Sequence, residues 1–168
     1  LDATALVNEA KVWGNISPAT EYSGTGTVAT AIPDGTSLLS RTFTVTTADA
    51  REKVEDVVIT ITATHGWRGD LEGKLISPSG TVTRFLTDHG GDSGDNINWS
   101  FTVNALWNED PDGTWTIQIR DLNSGDAGTW DSFGYKVRTG WLEPASRTLS
   151  GSVDLLDFAN DPGQSVAY

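Results

Sequence analysis

Short runs in which apolar and polar residues alternate dominate the middle of the chain. In "GTWTIQIRD" (113–121), Trp115, Ile117 and Ile119 share one face, while Thr116, Gln118 and Arg120 share the other. In "SFGYKVRTG" (132–140), Phe133, Tyr135 and Val137 face one way, and Lys136 and Arg138 the other. The run "VEDVVITITA" (54–63) sets Val57, Ile59 and Ile61 on one side, and less regular runs follow at 41–47, 71–77, 81–86 and 97–103. A period of two with one solvated face predicts antiparallel strands. Seven or eight short strands at this spacing predict two stacked sheets. The expected class is all-β, a jelly-roll-like antiparallel β-sandwich with one N-terminal α-helix.

That helix is expected over 1–13, "LDATALVNEAKVW", where Leu6, Ala10 and Trp13 recur at helical spacing. Asp2 supplies an N-cap and Gly14 a terminator. A helix so short is marginal in water, so its apolar stripe needs a surface to rest on. Residues 14–30, rich in Gly, Ser and Thr, read as a linker running into a first edge strand. The sandwich is expected over 31–141. Residues 142–168 carry little pattern and read as a C-terminal extension or a final strand.

Charge narrows the partners. The chain of 168 residues carries a net charge of −12. An acidic surface argues against nucleic acid and against an anionic membrane, both of which require positive charge. No apolar run approaches the roughly 18 residues that would cross a bilayer, so no membrane insertion is expected. There is no Cys, which removes disulfides and thiol chemistry, and no Met, so the chain reads as a processed product or an excised piece. A monomer is expected.

The segments "RGDLEGKLISPSGT", "WSFTVNALWNEDPDGTWTIQIRD" and "GTWDSFGYKVRTG" together resemble the P domain of kexin- and furin-like subtilases, the proprotein convertases and their bacterial relatives. The resemblance runs in order from 32 to Trp141. The initial segment is similar to the last helix of a subtilisin-like catalytic domain. The resemblance implies a non-catalytic module of a secreted subtilisin-like serine protease, which packs on the catalytic domain of the same chain, stabilises it, and influences substrate access and Ca²⁺ dependence.

Reaction chemistry within the chain itself finds little footing. Gly35-Thr36-Ser37 is similar to the segment around a subtilase nucleophile, but it leads into a strand rather than a buried helix. His65 and His89 sit in turn-like contexts without triad spacing. A glycosidase pair of carboxylates would need a distinguishing environment, and none of the 23 acidic residues shows one. Calcium is a more specific expectation. The loops at 86–98 and 120–131 interleave Asp or Asn with Gly, as oxygen-rich loops with sharp turns do. Asp88, Asp92, Asp95, Asp121 and Asp126 are the candidate ligands, although hairpin turns use the same residues.

The triplet Arg68-Gly69-Asp70 runs straight into an apolar strand, which favours strand entry over a projecting adhesion signal. Trp99, Trp107 and Trp115 are expected in the core. Trp67 and Trp130 adjoin turns, where an exposed ring would stack on a sugar or a peptide, although buried packing is favoured for these too. A free-standing carbohydrate- or surface-binding sandwich is the alternative function.

Overall fold

The computed structural model describes Thr4, Val7, Asn8 and residues 17–141. The chain divides into two compact units, and the one described here is Ile16–Leu142. Of the expected N-terminal helix, only Thr4, Val7 and Asn8 are described, and all three are helical. The rest of that helix and the expected extension at 142–168 lie outside the described residues.

Eight strands build the sandwich: β1 (Thr20–Ala31), β2 (Leu39–Val45), β3 (Lys53–His65), β4 (Leu71–Ile76), β5 (Val82–Leu86), β6 (Ile97–Val103), β7 (Gly113–Asp121) and β8 (Gly128–Gly140). One sheet has the order β1-β8-β3-β6 and the other β2-β7-β4-β5. Every pairing of these strands is antiparallel. Consecutive strands alternate between sheets for much of the chain, the winding of a jelly roll.

The alternations seen in the sequence become the two inner faces. Trp115, Ile117 and Ile119 of β7 and Val57, Ile59 and Ile61 of β3 are fully buried. Two bulges repair the parity where a strand would otherwise turn its apolar residues outward. Ala63 pairs with Trp130 and Thr62 with Ser132, so Asp131 is the extra residue, and both Trp130 and Phe133 reach the core. A second bulge between Val54 and Asp56 does the same for Val54 and Val57.

The interval expected as a linker requires correction, because β1 fills most of it. Its glycines are matched to large rings on β8: Gly24 lies opposite Tyr135 and Gly26 opposite Phe133. A Cβ at Gly26 would stand 2.4 Å from the Phe133 ring, so the missing side chain is what lets the ring cover the strand.

Two further corrections concern tryptophan. Trp99 and Trp107, expected in the core, are 66% and 65% exposed. Trp99 does belong to the inner-face parity of β6, which it shares with Ile97, Phe101 and Val103. It stays exposed because the facing edge strand, β5, is only five residues long. Trp107 sits in the turn that carries the chain from one sheet to the other, beyond either inner face.

Candidate functional site

The Arg-Gly-Asp triplet forms a single 3₁₀ turn at Arg68–Asp70, immediately before β4. Gly69 and Asp70 are buried, and Arg68 is exposed. The turn holds two loops. Towards the 87–96 loop, Arg68 N donates to Gly94 O (2.9 Å), Gly69 N to Asp92 O (3.1 Å), and His89 N to Gly69 O (2.7 Å). Arg68 Nε adds an ion pair with Asp92 Oδ2 at 2.9 Å. Towards the β7–β8 turn, Asn123 Nδ2 donates to Asp70 Oδ1 (2.9 Å) and Leu122 N to Asp70 O (2.9 Å). Each residue of the triplet therefore has an internal partner.

Next to this turn lies the buried pair His65 and Asp121, with His65 Nε2 3.0 Å from Asp121 Oδ2. Nε2 faces the carboxylate, and Nδ1 lies 2.9 Å from Trp67 O and 3.1 Å from Trp67 N. Both ring nitrogens are thus engaged within the fold, and the side chain has no solvent exposure. In that position the imidazole cannot reach a substrate as a general base. Gly35, in the triplet resembling a nucleophile segment, has φ 72 and donates its N–H to Asp121 O, which makes it part of a turn.

The five candidate calcium ligands fall in two places. Asp88, Asp92 and Asp95 lie on the 87–96 loop, while Asp121 and Asp126 flank the β7–β8 turn. Asp92 accepts from Arg68 and from Gly94 N, and Asp121 accepts from His65 and from Asn123 N. Among the described residues, no group of three or more His, Asp or Glu could hold a metal ion. As they stand, these side chains do not form one calcium cage: they are split between two loops, and Asp92 and Asp121 already accept from donors of the chain.

Two buried acids, Glu52 and Glu72, and the half-buried Glu109 carry no clear signal in the sequence. Glu72 is met by Lys74 at 3.0 Å, Arg84 at 2.9 Å and Arg120 at 2.9 Å. Burial alone would raise its pKa, but Lys74, Arg120 and Arg84 together hold it below the ordinary value. Glu109 receives the hydroxyls of Ser77 and Ser79, both at 2.6 Å, so the Ser-Pro-Ser-Gly turn is clipped to the β6–β7 crossing. Burial again opposes ionisation, and the Ser77, Ser79 and Thr81 hydroxyls outweigh it, leaving the Glu109 pKa lowered. Glu52 accepts from Tyr22 Oη at 2.8 Å and from the Thr139 hydroxyl. The signal available in the sequence was weak: a single acid beside a strand, with its partners up to 87 positions away.

Near Glu52 the described unit also closes on itself. Ser17 N donates to Trp141 O at 2.9 Å, and Trp141 N donates to Ser17 Oγ at 3.0 Å. The chain thus enters and leaves the sandwich at one place.

The two lateral sides of the sandwich differ. Along β1 and β2, Arg41 reaches across to Thr30 Oγ1 (2.8 Å), and Phe43 stacks on Tyr135 with ring centroids 3.9 Å apart. Along β5 and β6 there is a cleft of about 450 Å³, lined by Phe85, Leu86, Phe101 and Trp99, with Arg68 and His89 at one end. Trp130 is fully buried and Trp67 half-buried, so neither offers the open platform that a sugar would need.

Known proteins share this architecture. The profile of the "Proprotein convertase P-domain" family matches residues 54–137, which run from β3 into β8. A PC3-like endoprotease of Hydra vulgaris is 35% identical over 132 residues, covering 75% of this chain and 19% of that protein. A transglutaminase-activating metalloprotease of Streptomyces mobaraensis is 32% identical over 107 residues, covering 64% of this chain and 14% of that one. In the structure of the Aeromonas sobria serine protease with its chaperone, 79% of this chain superposes on 29% of the matched chain, with TM-score 0.64 and 20% identity. At that identity the likeness is one of fold. The chain spans about a fifth of the length of the Hydra relative. It belongs to the proprotein convertase P-domain family.

Proposed function

We propose that this chain is the non-catalytic P domain of a secreted subtilisin-like serine protease, docking on the catalytic domain of the same polypeptide and stabilising it. The observation that carries this reading is the family match over the core strands of the sandwich, together with a buried His65 whose two nitrogens serve the fold. A relative named as a metalloprotease supports it from another side, because a module found alongside different hydrolytic chemistries supplies something other than the reacting groups. Among the described residues no helix is long and apolar enough to cross a membrane. Support of this kind is linkage: a domain that binds only the folded neighbour shifts the neighbour's folding equilibrium, and covalent tethering makes its effective concentration high.

Two measurements test the reading. The 168-residue chain is expected to cleave no peptide substrate, and deleting it from its parent protease is expected to shorten the half-life at elevated temperature. Hydrolysis by the isolated chain that a serine-protease inhibitor abolishes, or a parent protease indifferent to the deletion, would overturn it. Calcium belongs to the same reading through the acidic loops at 86–98 and 120–131. Because the donors on Asp92 and Asp121 must be displaced, its affinity is expected in the weak range of extracellular modules, about 10⁻⁴–10⁻³ M. Calorimetric titration with Ca²⁺ alone checks this, and no heat up to millimolar Ca²⁺ would remove calcium from the reading.

A further inference from the structure

The sandwich has four edge strands, and three of them are blunted. β1 carries a bulge between Thr27 and Thr30, with Ala29 at φ 45. β2 carries Arg41, strapped across to β1. β5 is five residues long and carries Arg84. Bulges, charges and shortness are the devices that stop an edge from pairing with a foreign strand.

β6 has none of them. Its seven residues, "INWSFTV", include no charge, no Pro and no Gly, and its register with β3 runs unbroken from Val57↔Val103 to Ala63↔Ile97. No Asp, Glu, Lys or Arg occurs anywhere in 96–108, in a chain where one residue in five is charged. Among the described residues no strand pairs with the outer edge of β6, and Trp99 stands exposed beside the cleft.

We propose that β6 is a dimerisation edge, through which two copies of this chain pair antiparallel about a two-fold axis at Ser100. The strand is its own complement in that register. Ile97 meets Val103, Trp99 meets Phe101 and, on the other face, Asn98 meets Thr102. Apolar side chains thus face apolar ones, polar face polar, and no like charges meet. The β1-β8-β3-β6 sheet of one protomer continues into the same sheet of its partner. Trp99 of one protomer lies over Phe101 of the partner subunit, at the mouth of the cleft that β5 leaves uncovered. The net charge of −12 per copy opposes association, so the dimer strengthens as salt screens that repulsion. This replaces the monomer expected from the sequence, and it is independent of the protease-support reading.

Sedimentation velocity of the 168-residue chain, from micromolar to submillimolar concentration and at two salt concentrations, tests the proposal. The expected result is a monomer–dimer equilibrium that tightens with salt. Trp99→Lys restores a charge to the edge at an exposed site, and is expected to weaken dimerisation at least about tenfold without moving the melting temperature. As the chain has no Cys, Ser100→Cys gives a single thiol at the axis. It is expected to form a disulfide-linked dimer under mild oxidation much faster than Ser23→Cys, which places the thiol on the exposed edge strand β1. A chain that stays monomeric throughout overturns the proposal. So does a dimer insensitive to Trp99→Lys in which the two thiols cross-link at equal rates.

Discussion

Asn123 Nδ2 donates to Asp70 Oδ1 at 2.9 Å, across 53 positions of sequence, and this bond fastens the β7–β8 turn to the Arg-Gly-Asp turn. Asp70 is 9% exposed while Asn123 is exposed, so removing the carboxylate takes away a charge-assisted, partly shielded hydrogen bond across the two turns. Asp70→Ala is expected to lower stability by about 1–3 kcal/mol. Arg68→Ala removes an ion pair whose side chains are 44% and 42% exposed, and is expected to cost less. Urea unfolding midpoints of the two variants provide the comparison. The reverse order would mean that the triplet acts through its arginine.

Gly69 is hemmed in by backbone. A Cβ there would stand 2.4 Å from His89 O and 2.6 Å from Asp92 O, and neither carbonyl can move without the 87–96 loop. Gly69→Ala is expected to cost about 2–4 kcal/mol. It is also expected to raise amide exchange across 88–95, where the bonds to Gly69 and Arg68 are made. Unchanged exchange in that loop would show that it is held by something else.

Glu72 makes stability depend on pH in a defined direction. Its folded pKa is lowered from 4.5, because the cations around it outweigh the effect of burial. A depressed carboxylate contributes stability that is fully present above its unfolded pKa and is lost as pH falls through the folded value. The loss therefore belongs below about pH 4.5. Glu72→Gln is expected to melt below the parent chain at pH 7, by the equivalent of about 2–3 kcal/mol, and to converge with it towards pH 3. A gap that stays constant with pH would place the effect in packing rather than charge.

Trp115 and Trp107 should respond in opposite ways to truncation. Trp115 is fully buried, stacks on Phe43 and donates Nε1–H to Pro111 O at 3.0 Å. Trp115→Ala is expected to cost about 3–5 kcal/mol. Trp107→Ala, at a ring 65% exposed, is expected to stay within about 0.5 kcal/mol of the parent chain. Thermal melts distinguish the two, and a large loss at Trp107 would mean that its ring packs more closely than its exposure implies.

The layered architecture was legible because period-two alternation is a local property. Trp115, Ile117 and Ile119 lie together on one face of a strand wherever that strand goes. Trp99 shows the limit of the same reasoning. Its parity was right, but exposure depends on whether the opposite sheet reaches far enough to cover it, and that is set by the length of β5. The first edge strand begins earlier than the sequence implies for a related reason: Gly24 and Gly26 look like linker residues until Tyr135 and Phe133 are seen lying across them. Glu52 and Glu72 were illegible as buried acids, and Glu109 as a half-buried one, because their partners come from distant parts of the chain. The acidic loops were visible by composition, but sequence could not show that Arg68 and His65 already occupy Asp92 and Asp121.

Because Ser17 and Trp141 are bound to each other, the module's way in and way out are one doorway. A polypeptide can take such a unit on as a side room, spliced in or removed at a single point, without either neighbouring segment having to stretch around it. Tension applied along the host chain would load this clasp before it reached any strand of the sandwich.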